Sequence, residues 1–262
     1  MKKNLVLGMI FFLVLVTSVQ AQRTLHFAGY DWVVKQGYGG PGPNNWDDES
    51  SAVFVDEAGL HLRVLSLNDK WYSSEVYLPT SLGYCTYEFE VASDVSVVDT
   101  SLVGAVFLYQ DDTHEIDVEF SRWHNEVKDN AQYVVQPFEV NGNMNRFMLL
   151  PPQGNVVQRI IWEPKMITFV TLENGKIVQQ WQYDGANNFA PGKERVHVNF
   201  WQYKGLAPSD LLSKEFVVKN FTFTPRDESS EICQMVKMQK GKPIEKGFFS
   251  GLAKKLKEYF GN

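Results

Sequence analysis

Residues 115–120 read Glu-Ile-Asp-Val-Glu-Phe, alternating acidic and apolar side chains with a strict two-residue period. Only a β-strand turns that period into two clean faces, because side chains at i, i+2 and i+4 point the same way. Glu115, Asp117 and Glu119 therefore share one face of a strand, and Ile116, Val118 and Phe120 share the other. Acidic residues are poor strand formers, and neighbouring like charges repel. Folding gives no reason for such a row, so its purpose is chemical.

Spacing narrows the chemistry. At about 3.3 Å per residue, the alpha carbons of Glu115 and Glu119 lie ~13 Å apart. Inward-reaching side chains then bring the two carboxyls to about 5–6 Å, close to the separation of about 5–5.5 Å that retaining glycosidases use. Asp117, between them, can hold a proton or a hydrogen bond and split their pKa values, so that one glutamate attacks while the other donates a proton. A solvated acidic strand face is the plainer reading of the same residues.

The rest of the chain supplies the scaffold. Apolar and aromatic runs at Gly59–Leu65, Ser73–Leu78, Thr86–Val91, Val103–Tyr109, Gln132–Val135, Ile167–Leu172, Ile177–Trp181, Arg195–Trp201 and Phe216–Phe223 read as strands. Asn174-Gly175 tolerates positive φ and predicts a hairpin between two of them. No long amphipathic helix or internal repeat interrupts the series. The class expected is all-β, a two-sheet antiparallel sandwich.

Other side chains share the acidic face's character. In Arg195–Trp201, the residues Val196, Val198 and Phe200 form one face and His197, Asn199 and Trp201 the other. A Trp ring beside amides suits a pyranose, whose apolar face stacks while its hydroxyls find polar partners. Trp123 has the strand parity of Glu119 and extends the same floor. The Gly/Pro segment from Gly37 to Trp46 is either a connector or, through Asn44 and Trp46, a wall of the groove.

Met1-Lys2-Lys3-Asn4, the apolar run Leu5–Val16 and a small-residue exit at Ala21 have the form of a secretory signal peptide. Cleavage there would remove residues 1–21 and send the chain to the periplasm or outside the cell. Formal charge is −6 for the whole sequence and −8 without Lys2 and Lys3, a balance unsuited to general nucleic-acid binding. Cys85 and Cys233 can pair in an exported protein or remain thiols. The five histidines have no metal-ligand spacing, and phosphate loops and nucleophile elbows are absent from the sequence. No cofactor is expected.

Glu115–Phe120 resembles the signature of glycoside hydrolase family 16, in its regular form without the extra residue that bulges the strand. Further matches are Ser74-Glu75-Val76, Gly83–Glu88, Trp162-Glu163-Pro164 with Ile167–Val170, and Val198–Trp201, in the family's order from about Tyr38 to Pro225. The resemblance implies a β-jelly-roll with a substrate cleft across its concave sheet. It implies Glu115 as nucleophile, Asp117 as its assistant and Glu119 as acid/base, with Glu75, Asn199 and Trp201 lining subsites. The regular motif is similar to lichenase and xyloglucan-active branches. Arg122–Asn125 and Gln136-Pro137-Phe138 depart from the lichenase pattern. Related proteins often hold a structural calcium, whose ligands here are unassigned.

The expectation is a secreted, monomeric, retaining endo-β-glucanase domain over residues 22–225, acting on β-1,3/1,4-linked polysaccharide. A transglycosylase or a non-catalytic carbohydrate-binding sandwich are the alternatives. After it, residues 226–262 form a polar, Lys-rich tail. Phe248, Phe249, Leu252, Leu256, Tyr259 and Phe260 recur there at helical spacing. Such a helix docks on its own domain or makes weak contact with an anionic membrane surface.

Overall fold

The computed structural model describes residues 22–125 and 128–224. The segments expected to be a signal peptide and a helical tail, and Cys233 with them, lie outside the described residues. Eight strands build one antiparallel sheet: β12 (Met144–Phe147), β11 (Ala131–Val135), β10 (His114–Phe120), β9 (Leu102–Asp111), β16 (Arg195–Gln202), β7 (Lys70–Tyr77), β2 (Tyr30–Val34) and β1 (Thr24–Phe27), in that spatial order. Seven build the second: β5 (Val53–Asp56), β6 (Gly59–Leu67), β17 (Lys214–Thr224), β8 (Cys85–Val91), β13 (Val156–Glu163), β14 (Met166–Glu173) and β15 (Lys176–Tyr183). A short hairpin of β3 (Gly37–Gly39) and β4 (Asn44–Trp46) lies beside β7. The result is a two-layer jelly-roll sandwich.

The strands expected from sequence are present, with ends displaced by a few residues. Asn174 and Gly175 both adopt positive φ, 48° and 74°, and close the β14–β15 hairpin. Asn68 and Asp69, at 50° and 61°, close the β6–β7 hairpin. That hairpin joins the layers: β6 pairs with β17 and β5 in the second sheet, and β7 with β16 and β2 in the first.

Between the layers lies an aromatic-rich core. Trp32 meets Phe221 edge-on at 5.4 Å, and Tyr133 stacks on Phe169 at 5.0 Å. The Tyr133 hydroxyl lies 2.6 Å from Thr171 Oγ1, so the buried phenol is satisfied. Ile116, Val118 and Phe120 are fully buried in this core, the apolar face that the sequence alternation assigned to β10. Cys85 is buried in β8.

Phe120, Gly104 and Phe200 are register partners across β10, β9 and β16, so a glycine sits between two phenylalanines. The Phe216 ring fills the space over it: a Cβ on Gly104 would lie 3.1 Å from that ring. Phe216 thus fills the space that Gly104 of β9 leaves between β10 and β16. Phe216→Ala is expected to destabilise the domain by about 3–5 kcal/mol, read from denaturant midpoints, whereas the exposed-face change Glu115→Gln is expected to leave the midpoint unchanged or raise it.

Candidate active site

The outer face of the first sheet is a lattice of side chains whose rows follow from strand register. One row runs Arg146, Gln132, Glu119, Ala105, Asn199, Glu75 across β12, β11, β10, β9, β16 and β7. The next runs Met144, Val134, Asp117, Phe107, His197, Tyr77. A third joins Glu115 to Tyr109 and Arg195. Register is unbroken from Glu115 to Phe120 on both sides of β10, the one shift falling between His114 and Glu115. A cleft of about 980 Å³ opens over these rows.

All three carboxyls line that cleft; Asp117 is buried, and Glu115 and Glu119 are half-buried. Burial comes first in pushing Glu115 up to about 8, with the neighbouring charge of Glu119 adding to it and a hydrogen bond from Asp117 opposing it. Asp117 is pushed well above the carboxylate range by burial and then by the charges of Glu115 and Glu119. It is therefore the member that keeps its proton and donates it to Glu115. Burial also raises Glu119, against the Gln132 amide and the Arg146 guanidinium, which both favour its charged form. Three acids at close quarters on one strand face each disfavour ionisation of their neighbours.

The other expected residues divide. Asn199 and Trp201 line the cleft; the Asn199 amide is buried, and its Oδ1 has no protein donor. Glu75 lines it too but is only 3% exposed, bonded to Lys35 Nζ at 2.8 Å and His197 Nδ1 at 2.9 Å. Burial alone would raise Glu75, but those two partners overcome it and hold it below the ordinary range. Burial lowers His197 despite Glu75, so a neutral ring donating from Nδ1 satisfies both. Trp123 also lines the cleft, though not by extending the strand. β10 ends at Phe120, and Trp123 sits at φ 47° with its amide held by Ser121 Oγ at 2.8 Å.

Asn44 and Trp46 stand behind the wall rather than on it. Asn44 Nδ2 donates to Pro41 O and Gln202 O, and Trp46 Nε1 donates to Gly39 O. Both are buried, and the cleft surface is made by Gly40, Pro41 and Gly42, which they brace. Lys35 ties this wall to the floor, reaching Gly40 O at 2.7 Å while lying over the Trp46 ring. Sequence reading missed Lys35, Gln132, Gln136 and Arg146. Gln132 occupies the outward parity of a strand that was recognised, a signal that was legible. Arg146 lies on a four-residue strand without alternation, where no signal marked it. Among the described residues, no group of three or more His, Cys, Asp and Glu side chains could hold a metal ion, so a structural calcium gains no ligand set from them.

No family model matches this chain, and no curated protein matches its sequence. Solved structures do share its fold. A Bacillus licheniformis β-glucanase superposes with a TM-score of 0.59 at 16% identity, covering 79% of this chain and 100% of that one. The Crh5 transglycosylase, solved with NAG, gives 0.55 at 15% identity, covering 79% and 85%. Rv0315 of Mycobacterium tuberculosis, described as a pseudo β-1,3-glucanase, gives 0.57 at 16%, covering 77% and 96%. The fold is thus the jelly roll that these solved structures share. Within that fold one neighbour is a glucanase, one a transglycosylase and one a pseudo-enzyme, so activity has to be argued from the site.

The raised acids make stability depend on pH. Below the unfolded carboxyl pKa of about 4.3 Glu115 is protonated in both states and costs nothing. As pH rises from there towards about 8 the unfolded chain releases a proton that the folded one retains, and stability falls. Between pH 5 and 8 the wild-type Tm is expected to drop more steeply than that of Glu115→Gln, by about 3–6 °C, equivalent to about 1–2 kcal/mol. Parallel Tm curves from differential scanning calorimetry would contradict the assignment of Glu115 as a strained acid.

Proposed function

We propose that this chain is a retaining glycoside hydrolase that cleaves β-1,3/1,4-linked glucan internally. The observation that carries the reading is the single cleft-facing row Glu115, Asp117, Glu119 on β10, three carboxyls in unbroken register on one strand face. An open cleft floored by a sheet suits a polymer threaded across it better than a small ligand enclosed in a pocket. The unbulged register of β10 supports the lichenase and xyloglucan-active type of motif.

In the first half of the cycle Glu115 attacks the anomeric carbon and Glu119 gives its proton to the departing glycosidic oxygen. A glycosyl ester forms on Glu115 as the C–O bond to the leaving chain breaks. Glu115 has to ionise to attack, which its burial opposes and the hydrogen bond from Asp117 favours, and Asp117 steadies the carboxylate again after release. Glu119, now an anion, takes a proton from water, whose oxygen attacks the same carbon and frees Glu115. Trp201 and Trp123 line the cleft and offer ring faces to the sugar units, with the buried Asn199 amide beneath them in the floor.

A sugar hydroxyl in place of water would make the same machinery a transglycosylase, the reading favoured by the Crh5 neighbour. With residues 1–21 read as a signal peptide, the enzyme would meet its polymer outside the cytoplasm as a monomer, the basic tail adding at most weak surface contact.

Reducing-end release on barley β-glucan, laminarin and xyloglucan tests the proposal. Glu115→Gln is expected to fall to the assay floor while remaining folded. Glu119→Ala is expected to lose on the order of 10²–10⁴ in kcat, with partial rescue by azide on an activated aryl glycoside. Turnover in Glu115→Gln near the wild-type rate would remove the nucleophile assignment. A folded wild-type protein that retains oligosaccharides without cleaving them would make it a binding sandwich.

A further inference from the structure

The row that holds Glu119 continues past the catalytic strand. Gln132, its register partner on β11, is buried and donates from Nε2 to Glu119 Oε2. Arg146, the next partner on β12, donates from Nε to Gln132 Oε1 at 2.9 Å. The same guanidinium lies over the Trp123 ring, 4.3 Å from its centroid. Among the described residues Arg146 forms no ion pair, although it shares a cleft with five carboxylates. Its charge is therefore not spent on a surface bridge and reaches Glu119 through one amide.

We propose that Arg146 is a positioning residue that orients and charges Glu119 through Gln132 while propping Trp123 as a wall of the cleft. The inference rests on the hydrolase reading above and assigns Arg146 to one half of its cycle. Glu119 must be protonated to expel the leaving chain and ionised to activate water. Groups that face it divide accordingly. From its own strand the neighbouring carboxyl of Glu115 favours the protonated form, and across the sheet Glu75 is already neutralised by Lys35 and by the His197 hydrogen bond. Ala105 and Asn199 in the same row carry no charge, and Tyr109 lies a full turn of the pleat away in the Glu115 row. Arg146 is thus the one cation in this row of described residues that pulls towards the anion, and the anion is the state that the second, water-activating step needs.

An amide link is a suitable conductor. Gln132 cannot ionise, so it transmits orientation and dipole without adding a proton of its own. Its Oε1 is occupied by Arg146, which fixes the amide so that Nε2, not Oε1, faces Glu119. Without Arg146 the amide is free to flip and present an acceptor to a carboxyl, which would favour the protonated acid. The guanidinium's stacking on Trp123 also means that a sugar on the ring's open face and the acid/base share one support.

The test compares Arg146→Met, Arg146→Lys and Gln132→Met with wild type. The alkaline limb of kcat/KM reports loss of the proton from Glu119 in the free enzyme. Arg146→Met and Gln132→Met are expected to move that limb upward by about 1 pH unit, while Arg146→Lys stays close to wild type because the charge remains. Arg146→Met is further expected to accumulate glycosyl-enzyme, seen as a mass increase on acid quench, because water activation slows more than bond cleavage. A merely structural role would lower the Tm and kcat of all three and leave the limb in place, and that result overturns the proposal. Carboxyl titration followed by infrared difference spectroscopy, with Glu119→Gln subtracted, reads the same shift without substrate. If wild type shows no turnover, the hydrolase reading fails, and the infrared shift alone still decides whether Arg146 governs Glu119.

Discussion

Backbone pairing of β10 with β9 and β11 is the constraint on which the rest of the site depends. A slip of one residue would carry Glu115, Asp117 and Glu119 into the core and Ile116, Val118 and Phe120 into the cleft. Three buried, unpaired acids are far costlier than a lost apolar contact. The acids of the candidate site therefore also forbid the wrong register. Opposite them, Phe120 and Phe200 flank Gly104, and the Phe216 ring rests on that glycine. Cleft face and core face are two readings of a single pairing.

Sequence carried a great deal of this, and the reasons are local. The period-two alternation of 115–120 survives folding because both faces have an opposite environment to meet. His197, Asn199 and Trp201 were legible on the same ground. Strands β1 and β2 were not, since their two-residue turn pairs Gly29 with Ala28 at φ 52°, and alanine gives no sign of a left-handed position. β3, β4 and β12 are too short for a period to show. Trp123 shows parity giving the right location for the wrong reason: the strand had ended, and the Ser121 side chain steers the ring into place.

What the sequence could not show is how the lattice divides charge. The family resemblance of Ser74-Glu75-Val76 makes Glu75 a substrate ligand. In the fold it is committed first to Lys35 and His197, and through Lys35 to the Gly40 carbonyl of the wall. Asn44 and Trp46 stand behind that same wall because small, Gly/Pro-rich backbone is what faces the cleft. Such roles depend on side chains far apart in the chain, 40 residues for Lys35 and Glu75 and 122 for Glu75 and His197. No window of sequence contains both partners.

The β6–β7 hairpin has one more effect. It is continuous covalent chain running from one layer into the other, and it sits at one side of the sandwich. On the opposite side the layers end in β12 and β15, and here side chains do the joining: Gln179 bonds Asn145 at 3.3 Å, while Asn143, just before β12, accepts from the Tyr183 hydroxyl at 2.9 Å and donates to Asn187 at 3.1 Å. Met144 and Arg146 sit on that margin, so the border of the cleft is fastened to the other layer from behind by β15 and the turn that follows it.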